Sequence, residues 1–188
     1  RGISLLPPSG GTASVGGFDI VREAAAVPRI IGYVPQALSA DGDLSGFENL
    51  LVFAKLYDIP RAQREKRILD ALAFMDLADV GHKLVKTYSG GMIRRLEIAQ
   101  STLHRPQVLF LDEPTVGLDP VARISVWEQL EKLQAEFGSA ILLTTHYLEE
   151  AERLCDRVGI MNHGAIAAVG SPAELKAAVG AHASFEDV

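Results

Sequence analysis

The chain has 188 residues, 48% of them apolar, with 24 acidic against 18 basic side chains for a formal charge of −6. That length and apolar content suit one globular domain with a sizeable core rather than a disordered chain. The acidic balance argues against a duplex-binding surface, which needs clustered Lys and Arg, so no nucleic-acid partner is expected. A single cysteine, Cys155, excludes an internal disulfide framework and is expected to act as a small buried hydrophobe. No apolar run approaches the roughly 18 to 20 residues that cross a bilayer, so any membrane span is expected on another chain or segment.

In chain order, Arg1 to Leu6 reads as the tail of a helix stopped by Pro7-Pro8-Ser9-Gly10-Gly11. Strand-length apolar, β-branched runs follow at Thr12 to Val15, Ile30 to Val34, Val108 to Leu111, Ile141 to Thr145 and Val158 to Met161, several of them apolar enough to be buried on both faces. Between them lie helical patterns: Ile68, Leu69, Leu72 and Met75 on one shared face, and Ile124, Trp127, Leu130 and Leu133 on another. Strands alternating with helices give an α/β class. From Asp41 to about Leu103 the alternation lapses into successive helices, which predicts a helical insert at about 41–103. Met161-Asn162-His163-Gly164-Ala165-Ile166 reads as a hairpin with positive φ at Gly164. The tail, Ser184 to Val188, carries no terminating signal and suggests that the chain continues.

Three segments carry chemistry. Val108-Leu109-Phe110-Leu111-Asp112-Glu113-Pro114 runs a buried strand into two adjacent carboxylates at its C-terminal end, where open α/β sheets place ligands. On an extended backbone the two side chains point opposite ways, so one carboxylate can hold a metal while the other polarises a water; the plainer reading is a solvated strand end. Tyr88-Ser89-Gly90-Gly91-Met92-Ile93-Arg94-Arg95 opens a helix with a hydroxyl and two glycines, a place where backbone N–H groups and the helix dipole meet an oxyanion. Its plainer reading is an N-cap after a loop. Thr144-Thr145-His146 sets an imidazole at the end of another strand, a donor to a terminal phosphate or simply an exposed histidine. Arg94 and Arg95 are read as a solvated helix face.

Together these segments resemble, in order, the motifs of a nucleotide-binding domain of the ATP-binding cassette superfamily. Gln36 matches the Q-loop, Ser89-Gly90-Gly91-Met92 the signature motif, Val108 to Glu113 the Walker B motif, Gly117-Leu118-Asp119 the D-loop and His146 the switch histidine. The resemblance implies a P-loop NTPase (RecA-like) core carrying a helical signature-motif subdomain, as a single partial domain over 1–188. It also implies ATP and Mg²⁺ as ligands. Asp112, with Gln36, is then expected at Mg²⁺, Glu113 at the attacking water and His146 at the γ-phosphate. Ser89, Gly90, Gly91 and Met92 are expected to act on the nucleotide of a second, head-to-tail copy, with Asp119 bridging the two. Tyr88 and Met92 stand where the commonest signature has Leu and Gln, and with Arg94-Arg95-Leu96, Leu44 to Leu50 and His146 to Ala151 they resemble the daunorubicin-resistance-type branch that exports drugs, lipids or polysaccharides. A transmembrane permease partner, a place on the cytoplasmic face of the membrane and a coupling surface near Phe47, Leu50, Leu51 and Phe53 follow from the same resemblance; for those four residues core packing is the plainer reading. A cassette ATPase without a membrane partner, or a nucleotide sensor that does not hydrolyse, remain as alternatives.

The family's P-loop, G-x-x-x-x-G-K-[ST], has no match here, and the resemblance sets its lysine a few positions ahead of Arg1. The expectation is a fold incomplete at its N-terminus. At about 1.5–3 kcal/mol for each hydrogen bond to a charged group, losing about three such bonds removes about 4.5 kcal/mol or more. That is roughly a thousandfold in affinity, so this chain by itself is expected to bind ATP poorly and to be inactive.

Overall fold

The computed structural model describes residues 10–179, so the readings of Arg1 to Ser9 and of Ser184 to Val188 lie outside the described residues. Two compact units divide at Thr144/Thr145. The first opens with a short hairpin, β1 (Ser14–Val15) and β2 (Phe18–Asp19), and one turn of helix, α1 (Val27–Ile30), before β3 (Ile31–Val34). Helices α2 (Gly46–Leu56), α3 (Arg61–Phe74) and α4 (Gly90–Thr102) follow, with 3-10 turns at Ala78–Val80 and Val85–Thr87. Then come β4 (Val108–Asp112), α5 (Pro120–Phe137) and β5 (Ala140–Thr144).

The sheet order is β3-β4-β5, all parallel, with Val34 opposite Leu111 and Asp112 opposite Thr144. Parallel neighbours need crossover connections, and α2–α4 and α5 supply them. This register brings the C-terminal ends of all three strands to one edge, where Gln36, Asp112 and Glu113 leave the sheet. Leu109 and Leu111 of β4 are buried, and α4 lies tight against β3: a Cβ on Gly32 would stand 2.3 Å from the Ser101 carbonyl. A side chain at position 32 would push the helix off the strand.

Between residues 41 and 103 the described elements are helices and turns, with one isolated bridge between Ser45 and Leu84. Helix α2 starts at a capping box: Ser45 Oγ accepts from the Glu48 N–H at 3.2 Å while the Glu48 carboxylate accepts from the Ser45 N–H at 2.8 Å. Buried Asn49 ties the preceding loop to the helix, accepting from the Asp41 N–H and donating to the Asp41 carbonyl, both at 2.9 Å. Replacing Ser45 with Ala is expected to cost about 1 kcal/mol, read as a lower midpoint in urea unfolding without a change in slope.

Several readings of the sequence are corrected. Ile68 and Leu72 are buried on α3 and Met75 at its C-cap, but Leu69 is 52% exposed: it stands about 100° round from Ile68, beyond the stripe that faces the core. Ile124 is likewise exposed at the start of α5, while Trp127, Leu130 and Leu133 pack inward. Strand β5 is not buried on both faces but alternates, with Leu142 exposed. Arg94 is no solvated residue. It is 1% exposed, and Arg95 is half-buried with Nη1 donating to the Met75 carbonyl at 3.0 Å.

The second unit runs through α6 (Leu148–Leu154), β6 (Val158–Asn162), β7 (Ala165–Gly170) and α7 (Pro172–Val179). Antiparallel β6 and β7 meet at a turn with positive φ at both His163 and Gly164, +49° and +79°, the backbone of a tight hairpin. Ala151 and Leu175 form its core with Val158, Ile160 and Ala168 against them. Ser171 and Glu174 cap α7 reciprocally. Cys155 is half-buried rather than buried, and burial, with Glu150 and Asp156 beside it, pushes its thiol above the ordinary value. Among the described residues no helix is long and apolar enough to cross a membrane.

Candidate active site

Gln36 follows β3 and reaches across to the end of β4, where its Nε2 donates to Glu113 Oε2 at 2.9 Å. The side chains are 77 positions apart in sequence, and the parallel register makes them neighbours. Asp112 ends β4 half-buried, and its Oδ1 accepts from the Thr144 hydroxyl at 2.6 Å. The Glu113 N–H donates to the Thr144 carbonyl at 3.1 Å and lies 3.2 Å from the Thr144 hydroxyl oxygen. Thr144 therefore fastens both acidic positions to β5. Sequence reasoning gave it no role, although the pairing of a strand-end hydroxyl with a strand-end carboxylate was the available signal.

The backbone at Glu113 departs from the extended form that the sequence suggested. Its φ is +45°, in the left-handed region, and Pro114 follows, which restricts the preceding residue further. A non-glycine residue held there costs about 1–3 kcal/mol, and such strain concentrates at functional sites. The turn, not strand alternation, sends the Glu113 carboxylate towards Gln36. All the groups assembled here offer oxygen: the Asp112 carboxylate, the Glu113 carboxylate and the Gln36 amide oxygen, whose nitrogen is already committed to Glu113. Such donors suit a hard cation of the Mg²⁺ kind.

A second group forms where α4 meets α5. Ser89 is the N-cap of α4, its Oγ accepting from the Met92 N–H at 3.3 Å, and its side chain is exposed with Gly90 beside it. Gly91 is buried: a Cβ there would lie 2.8 Å from the Ala122 Cβ of α5, so the second glycine also serves close helix packing. Gly91→Ala is expected to cost about 1–3 kcal/mol through overpacking, visible as a lower thermal midpoint. Met92 is half-buried. Asp119 is the N-cap of α5, accepting from the N–H groups of Val121 at 3.0 Å and Ala122 at 2.9 Å, so one carboxylate oxygen is engaged locally. Tyr88 is buried ahead of the helix with its hydroxyl donating to the Val80 carbonyl at 2.7 Å, and burial raises its pKa.

His146 belongs to the second unit, where its exposed imidazole lies 4.3 Å from the Tyr147 ring centroid. Of the four apolar residues read as a coupling surface, Leu50 is fully buried and Phe47, Leu51 and Phe53 are half-buried. Phe47 and Leu51 line a surface groove of about 460 Å³ with Lys55, Arg61, Arg64 and Glu65.

The family model described as "ABC transporter" matches residues 3–116. The chain is 45% identical over 177 residues to the daunorubicin resistance ATP-binding protein DrrA3 of Streptomyces coeruleorubidus, covering 94% of this chain and 56% of that protein. It is 37% identical over 176 residues to the linearmycin resistance ATP-binding protein LnrL of Bacillus subtilis, with the same two coverages, 94% and 56%. The chain thus spans little more than half the length of these relatives. Among solved structures, cbiO1 from Clostridium perfringens, described as part of the ABC transporter complex cbiONQ, superposes with a TM-score of 0.84 at 29% identity, over 93% of this chain and 71% of that one.

Proposed function

The chain belongs to the ABC transporter family, and on that premise we propose that it forms much of the ATP-hydrolysing domain driving a membrane exporter of the drug, lipid or polysaccharide type. The observation that carries the reading is the 2.9 Å contact between Gln36 and Glu113 beside Asp112, at the C-terminal edge of a parallel sheet. The names of the relatives, resistance proteins for daunorubicin and linearmycin, support export.

In this reading ATP is hydrolysed by attack of water on the γ-phosphorus. The new bond is between water oxygen and phosphorus, the β,γ-bridging bond breaks, and ADP and phosphate leave. Glu113 orients the water and accepts its proton, while Gln36 Nε2 holds the Glu113 carboxylate in place. Asp112 and the Gln36 amide oxygen would hold Mg²⁺, which supplies positive charge to the phosphate oxygens when bound. Thr144 keeps Asp112 oriented through its hydroxyl. His146 donates to the γ-phosphate oxygens. Ser89, Gly90 and Gly91 offer preorganised donors to the nucleotide of a second copy, and Asp119 links the two copies. A transmembrane permease bears on the surface around Phe47 and Leu51, at the cytoplasmic face of the membrane.

Light scattering on the full-length protein tests the paired arrangement. Glu113→Gln with Mg²⁺-ATP is expected to run at twice the mass seen with ADP. A single-copy mass with ATP bound would overturn the head-to-tail assembly.

A further inference from the structure

Arg94 lies one turn into α4, the helix that Ser89 caps, and turns away from solvent. Its terminal nitrogens donate to two successive carbonyls of the segment after β3, Nη1 to Pro35 at 2.7 Å and Nη2 to Gln36 at 2.6 Å. Glu97, one turn further on the same face and 2% exposed, places Oε2 3.1 Å from Arg94 Nη1. Its other oxygen accepts from the N–H of Ser39, from the N–H of Ala40 at 3.2 Å and from the Ser39 hydroxyl at 3.2 Å. The pair thus grips one short segment at both ends, by carbonyls 35 and 36 and by amides 39 and 40. The first grip holds the backbone of Gln36 itself, whose side chain reaches Glu113.

Helix stability does not require this arrangement. Charges three apart on a helix stabilise it modestly on a wet surface, and taking an ion pair out of water is costly unless further hydrogen bonds use its remaining valences. Here the further bonds all go to one loop. The planar fork of a guanidinium spans two carbonyls in a way that a lysine ammonium does not reproduce. We infer that Arg94 and Glu97 are positioning residues that fasten the backbone of Pro35–Ala40 to α4, so that the placement of the Gln36 amide against Glu113 follows the position of the helix carrying Ser89, Gly90 and Gly91. The pair is the physical link through which the two groups of site residues sense one another. This rests on the reading of Glu113 as the group that acts on water.

The test uses the full-length protein with Arg94→Lys, which keeps the charge and loses the fork, and Glu97→Gln, which keeps an acceptor for the amides and loses the ion pair. Arg94→Lys is expected to lower kcat for Mg²⁺-ATP on the order of 10- to 100-fold through misplacement of Gln36, with KM within about twofold. Combined with Gln36→Ala it is expected to be no slower than Gln36→Ala alone, since a residue that acts through Gln36 has nothing left to position. In both Arg94→Lys and Glu97→Gln, hydrogen exchange at the Ser39 and Ala40 amides is expected to speed up about tenfold or more while the amides of α5 keep their rates. Unchanged kcat, additivity with Gln36→Ala, or unchanged exchange at those two amides would overturn the inference. The exchange measurement needs no turnover, so a wild type that fails to hydrolyse ATP refutes the reading of Glu113 and leaves the mechanical link to be decided by exchange alone.

Discussion

Replacing Glu113 with Gln in the full-length protein is expected to lower Mg²⁺-ATP turnover by about 10²- to 10⁴-fold, the range for loss of a positioned general base. The amide keeps the size and the acceptor that Gln36 Nε2 meets at 2.9 Å, but it takes no proton from water. Folding is expected to be unaffected, because the left-handed backbone at position 113 costs Gln as much as Glu. Steady-state phosphate release with a thermal melt of the same preparation checks both halves. A variant that retained more than about a tenth of wild-type turnover would remove Glu113 from the proton-accepting role.

Arg94→Met is expected to destabilise the fold by about 3–5 kcal/mol, among the largest effects of any single replacement here. Methionine fills most of the space, yet it leaves Glu97 buried without its cation and the Pro35 and Gln36 carbonyls without donors. Burial pulls the Arg94 pKa below the ordinary guanidinium value and Glu97 opposes that pull, the balance expected of a charge retained inside by its partner. Urea unfolding at neutral pH measures the loss. A change within about 0.5 kcal/mol, ordinary for an exposed position, would mean that the pair is not buried in solution.

The contrast between these two residues shows what the sequence discloses. Glu113 was legible because its chemistry is local: a buried strand running into Asp-Glu-Pro announces a strand-end carboxylate. Its left-handed backbone was not legible, since a glutamate before proline gives no hint of positive φ. Arg94 was misread because a charged residue on an amphipathic helix is ordinarily solvated. Its partners, Pro35 and Gln36, lie 59 and 58 positions away, so only the folded register reveals them. The same limit explains Leu69, which shares its helical stripe with Ile68 and Leu72 on paper but stands at the rim of that stripe, 52% exposed. Strand β4 was read to within one residue at its end, and three of the four residues read as one face of α5 pack inward, because the apolar period is clear in both segments. The signature segment was legible as a helix start. That Gly91 also clears space for Ala122 depended on a helix crossing no spacing rule foretells.

The most direct test is phosphate release from Mg²⁺-ATP by the full-length protein, purified alone and in complex with the proposed membrane partner. The expected result is release that saturates with ATP in the complex. A folded complex that binds ATP and releases no phosphate would contradict it, and would make this chain a nucleotide-sensing module instead.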